Sequence, residues 1–177
     1  MLHLPRTVTH LDKGLALLIG WPHHEALLSL ITQLALHQSV RVVIGGNRFQ
    51  AHTLARLIRR QTVYIEAVLA RIAIARPFTC YQTVALFEQM GATPEPLIVL
   101  DLLQTFADEN ISTQESYRLV YFILNDLHRL RQAVPVIISL QPPPQPDRAG
   151  LVTILQKTAD IVVHPNSPTP LVPLRLF

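Results

Sequence analysis

Short apolar runs alternate along this chain with longer stretches in which apolar residues recur every three or four positions. The short runs, 15–20 (LALLIG), 41–44 (RVVI), 71–75 (RIAIA), 96–101 (PLIVLD), 134–140 (VPVIISL) and 160–164 (DIVVH), read as strands, the last of them more exposed than the rest. Between them lie helical periods. Residues 24–37 place Leu27, Leu30, Ile31 and Leu34 on one face, and 51–60 turn Leu54, Leu57 and Ile58 inward with Arg56, Arg59 and Arg60 outward. Thr79 caps a helix that runs through Val84 and Phe87 and stops at Gly91. Ser112-Thr-Gln-Glu115 is a capping box that opens the longest helix, with Tyr117, Val120, Leu124 and Leu127 on its buried stripe. A short helix follows over 151–157.

Strands of this kind separated by amphipathic helices predict right-handed βαβ units. The expected fold is α/β and three-layered, a mostly parallel sheet with helices on both faces. Such sheets bind ligands outside the carboxyl ends of their strands. The positions to inspect are therefore 20–27, 45–47, Asp101 and Gln141.

Composition sharpens this picture. The 177 residues suit a single domain over 1–164, followed by a proline-rich tail over 165–177. Hydrophobic residues are 49% and charged residues only 15%, which excludes a disordered polyelectrolyte and fits elements buried on both faces. No apolar run approaches a bilayer span, and the first residues lack a charged segment followed by an apolar one, so a cytoplasmic protein without a membrane is expected. A lone cysteine, Cys80, excludes an internal disulfide and a multi-cysteine zinc site, and no metal site is expected. The net charge of +3 fits a mildly basic protein or one that touches a polyanion such as DNA. Only six glycines are present, too few to favour a phosphate-cradling loop. Eight of the 14 prolines fall after position 141, which makes the last part loop-rich.

The first strand end tests nucleotide chemistry directly. A phosphate loop needs GxxxxGKT or GxxxxGKS, whose glycines free backbone amides, whose lysine neutralises phosphate and whose hydroxyl holds magnesium. Here the eight positions from Gly20 keep only the first glycine, with Glu25, Ala26 and Leu27 in place of the second glycine, the lysine and the hydroxyl. A second window, 46–53, matches at Gly46 and Thr53 alone, with Ala51 and His52 in the glycine and lysine places. Asp101 closes an apolar strand as a magnesium-orienting aspartate would. The sequence 23–25 (HHE) lacks HExxH spacing, and Cys80 reads as a small packed residue.

The order of these segments resembles the RecA/RadA recombinase ATPase core over roughly 13–164. The most specific stretches are 71–90 (RIAIARPFTCYQTVALFEQM) and 96–130, similar to the family's variable strand and helix and to its Walker B strand with the long helix behind it. VPVIISLQ ends where the family has an Asn-Gln pair, here Leu140-Gln141. The resemblance implies that Gly20, Asp101 and Gln141 are remnants of a nucleotide pocket. Asp101 matches the Walker B aspartate and Gln141 the glutamine that senses the terminal phosphate. It also implies that the catalytic glutamate falls at Gly46, the lysine at Ala26 and the hydroxyl at Leu27, so all three are missing, and that 141–150 (QPPPQPDRAG) stands for the second DNA loop. The C-terminal residues Leu174, Leu176 and Phe177 resemble a sliding-clamp docking peptide with Pro173 in place of its glutamine, while folding back on the protein's own surface is the alternative.

The expectation is a non-catalytic RecA-like binding or scaffold module in DNA repair or recombination. No cofactor is expected, and ATP with magnesium enters only if the atypical loop works. A protein partner is expected through Arg56, Arg59 and Arg60, the proline loop or the tail, with DNA contact and self-association as further options. Two alternatives stand beside it: an ATPase with an atypical phosphate loop, and an inhibitor of a polymerising partner of the cell-division-inhibitor type.

Overall fold

The computed structural model describes residues 4–21, 24–91 and 93–165. A one-turn helix α1 (Arg6–Thr9) leads into β1 (Gly14–Ile19), α2 (His24–His37), β2 (Val40–Ile44), α3 (Ala51–Gln61), α4 (Ile65–Leu69) and β3 (Ile72–Ala75). Then come α5 (Cys80–Gln89), β4 (Leu97–Leu100), a 3-10 turn (Leu102–Phe106), α6 (Thr113–Ala133), β5 (Pro135–Leu140), a second 3-10 turn (Pro146–Arg148), α7 (Gly150–Thr158) and β6 (Ile161–Val163). The six strands form one sheet in the order β3-β2-β4-β5-β1-β6, and every ladder is parallel. This is the three-layer α/β class that the alternation of runs and the RecA resemblance both lead to expect.

Strand alternation sorts the core into two layers. On β1, Leu15, Leu17 and Ile19 face the layer built with Phe87 of α5, Ile123 and Leu127 of α6 and Leu155 of α7. Ala16 and Leu18 face the opposite layer, with Leu27 and Ile31 of α2, Leu54 and Ile58 of α3 and Val68 of α4. β1, β4 and β5 lie between both layers, which explains why their sequences are apolar without alternation. Each fully buried Leu, Ile or Val there contributes about 1.5–3 kcal/mol relative to exposure.

The caps behave as their residue types require. The Thr79 and Ser112 hydroxyls accept from Gln82 N and Glu115 N, both at 3.1 Å, so each satisfies an N–H that has no partner inside its helix. The Glu115 side chain grips Arg118 at 2.7 and 2.8 Å. α5 ends at Gln89, two residues short of Gly91. The edges reverse the expected exposure. Ile161 and Val163 of β6 are buried in the layer that holds Val8 of α1 and Trp21, whereas Ile74 of β3 is 47% exposed on an edge that no helix fully covers.

Candidate functional site

Chain direction at the strand ends defines the crevice. β1 and β2 hand the chain to the α2–α3 layer, while β4 and β5 hand it to the α6–α7 layer. The reversal brings Gly20, Gly45, Gly46, Asp101 and Gln141, each just past a strand, to the carboxyl edge of the sheet.

Asp101 organises this edge. It is 5% exposed and adopts the left-handed conformation (φ 53, ψ 50), the only non-glycine residue with positive φ among the described residues. Such a backbone costs on the order of 1–3 kcal/mol and persists only where its surroundings fix it. They do so here. Its N–H donates to the buried Ser139 hydroxyl at 3.0 Å, and its carbonyl accepts from Gln104 N at 3.0 Å. The double glycine wraps the same residue: a Cβ on Gly45 would stand 2.5 Å from the Asp101 carbonyl oxygen, and one on Gly46 would stand 3.0 Å from Asp101 Oδ2. Glycine is needed at 45 for close approach, a reason beyond the turn that Gly-Gly-Asn suggests.

The carboxylate points at α2. His24 Nε2 lies 3.5 Å from Asp101 Oδ2, at ion-pair distance. Burial pushes the Asp101 carboxyl up, and the charges of His24 and Arg48 oppose that rise. Asp101 Oδ1, His24 Nδ1 and Trp21 Nε1 are buried without a hydrogen-bond partner among the described residues. Gln141 donates its Nε2–H to the Trp21 carbonyl at 2.9 Å, tying the end of β5 to the end of β1. Asp101, Gln104, Gln141 and Pro142–Pro144 enclose only about 20 Å³, room for about one water.

Nucleotide and magnesium do not fit these residues. Only positions 20–23 separate β1 from α2, so the second half of the stretch aligned with a phosphate loop is helix. Leu27, in the place of the magnesium hydroxyl, is 1% exposed in the core, and Glu25 pairs with Arg56 at 3.6 Å. Gly20 keeps a left-handed φ of +65, but a Cβ there would meet nothing within 4 Å among the described residues. A glutamate at 46 would begin with a Cβ against the Asp101 carboxylate. In the second window the buried Thr53 donates its hydroxyl to Gln50 Oε1 at 3.0 Å. Among the described residues no group of three or more His, Cys, Asp or Glu side chains could hold a metal ion. Cys80 is fully buried, and burial pushes its thiol up, away from the reactive thiolate.

The other candidate residues lie apart from this edge. Arg56, Arg59 and Arg60 are exposed on α3, and of the three only Arg56 has an acidic partner among the described residues. Leu174, Leu176 and Phe177 lie outside the described residues. The proline loop is fastened down. The Arg148 guanidinium, in a residue 4% exposed, donates to the carbonyls of Phe106 (2.7 Å), Asp108 (2.9 Å) and Ile111. Gln145 Nε2 donates to Ala107 O and Tyr117 Oη to Asp147 O.

Sequence reasoning singled out neither His24 as the partner of Asp101 nor Ser139 and Arg148. The usable signal was a histidine opening the helix after β1, opposite an aspartate closing β4. No family model matches the chain, and no curated protein matches it.

Proposed function

We propose that this chain is a non-catalytic, RecA-like binding module that works through protein contact in a DNA-repair or recombination setting. One observation carries the non-catalytic part: Asp101, the residue matching the Walker B aspartate, is held in the left-handed conformation against His24 and beneath two glycines. Phosphoryl transfer depends almost wholly on positioned charge around the phosphates. At this edge the carboxylate already faces a histidine, and the lysine and hydroxyl positions belong to a helix. The repair setting rests on the segments that resemble the recombinase core.

The exposed Arg59 and Arg60 on α3 and the pinned proline loop supply rigid surface for a partner. Rigidity favours binding because little conformational freedom is lost on association. The test has two arms. Purified chain is assayed for phosphate release from ATP, with and without single-stranded DNA, beside Asp101→Ala; no release that depends on Asp101 is expected. Tagged chain is then captured from its own cells. Recovery of a recombination or sliding-clamp protein supports the reading, and Asp101-dependent hydrolysis or recovery of a cytoskeletal GTPase overturns it.

A further inference from the structure

The sheet has a second reversal of chain direction. β2 feeds α3 on one face, while its neighbours β3 and β4 feed α5 and α6 on the other. At the first reversal Asp101, Gln141 and the prolines line a space of only about 20 Å³, room for about one water. At the second a cavity of about 240 Å³ remains, with Gly45, Asn47, Arg76, Phe78, Gln104 and Asp108 among its walls.

Two walls carry opposite charges that do not pair. Arg76, the residue after β3, donates to the Asn47 side-chain oxygen, and its guanidinium carbon lies 5.5 Å from the centre of the Phe78 ring. No ion pair among the described residues involves it. Asp108 Oδ1 accepts from Asn110 N and Nδ2, both at 2.9 Å, and these bonds hold its carboxyl below the usual range. Guanidinium and carboxylate are thus each hydrogen-bonded to neutral groups, not to each other, and the Arg148 charge also acts on Asp108. Other exposed pairs on this protein do meet, as Glu115–Arg118 and Asp126–Arg129 show. A cavity of this volume suits a molecule of about amino-acid size.

We propose that this cavity binds a small zwitterion, with its carboxylate on Arg76 and its ammonium on Asp108. Asn47 and Gln104 offer amides to either end, and the Phe78 ring covers the aliphatic middle. An anion alone would leave Asp108 facing it, and a cation alone would leave Arg76 facing it; a zwitterion satisfies both. This site rests on its own cavity and charges, not on the scaffold reading.

The test uses the full unmodified chain and a ladder of probes with increasing charge separation: glycine, β-alanine and 4-aminobutyrate, beside butyrate and butylammonium. Binding is followed by amide NMR shifts. One member of the ladder is expected to bind about tenfold or more tightly than either half-charged probe, with shifts centred on Gly45, Asn47, Phe78 and Gln104. Arg76→Gln and Asp108→Asn, both on exposed side chains, should each remove that preference. The proposal is overturned if butyrate binds as tightly as the best zwitterion, which would mark a site for a lone anion or an acidic side chain. Indifference of binding to Asp108→Asn, or the absence of saturable shifts with every ladder member, also overturns it.

Discussion

His24 Nε2 faces Asp101 Oδ2 at 3.5 Å across the carboxyl edge of the sheet. Burial raises the Asp101 carboxyl, so folded protein binds this proton more tightly than unfolded chain does. Stability from this group is therefore full below the ordinary aspartate range and is lost as pH rises through the raised value. Asp101→Asn removes the charge and keeps a side chain that tolerates the left-handed backbone. We expect the variant to be more stable than the parent at neutral pH, with an advantage that shrinks on acidification. Urea midpoints across the acidic to neutral range check this; a variant that is less stable at neutral pH contradicts it.

The glycines should separate by mechanism. Gly45→Ala drives a Cβ to 2.5 Å from a backbone oxygen that cannot swing aside, and we expect a loss of about 1–3 kcal/mol. Gly20→Ala meets open space and carries only the strain of positive φ, about 1–2 kcal/mol. Denaturation of the pair should rank Gly45→Ala as the more damaging, with Asp101 amide shifts moved only by that variant. The reverse order would mean that the close approach to Asp101 is relaxed in solution.

Rewriting the phosphate-loop letters should not rebuild the loop. In Glu25→Gly/Ala26→Lys/Leu27→Thr the changed residues stay inside α2, and Leu27 leaves a fully packed site. The expected result is a loss of about 2–5 kcal/mol from the core with no gain in ATP affinity. Calorimetric titration with magnesium-ATP decides it.

Arg148 fastens the proline loop from inside. Removing it takes a donor from three carbonyls, of which those of Phe106 and Asp108 keep a longer one, from Ser116 Oγ at 3.4 Å and Ile111 N at 3.3 Å. A buried acceptor that loses its main donor costs about 1–3 kcal/mol, so Arg148→Ala should lose about 1–3 kcal/mol. Hydrogen exchange should then quicken between Phe106 and Ile111; unchanged protection there would refute the fastening role.

The fold was legible because burial on both faces writes uninterrupted apolar runs, and amphipathic helices write a period. LIVL and VIISL announce central strands whatever surrounds them. The five-residue α4 is too short for a period to register, and RIAIA, apolar in letters, lies on an exposed edge because edge position is a property of strand order. At the site, Gly20, Asp101 and Gln141 were placed correctly at strand ends, since loops after parallel strands converge there. What they touch was not legible. The left-handed Asp101 arises from contacts with Ser139 and Gln104, and the burial of Arg148 from carbonyls some 40 residues away in sequence. Neither leaves a local pattern.

Trp21, the single tryptophan, is buried at this edge with its carbonyl on Gln141, so its fluorescence reports directly on whatever enters. Titrating the full chain with magnesium-ATP should leave that emission unchanged into the millimolar range, where generic weak binding begins (about −4 kcal/mol). A saturable change at micromolar ATP, lost in Asp101→Asn, would contradict the central claim that this edge is closed to nucleotide.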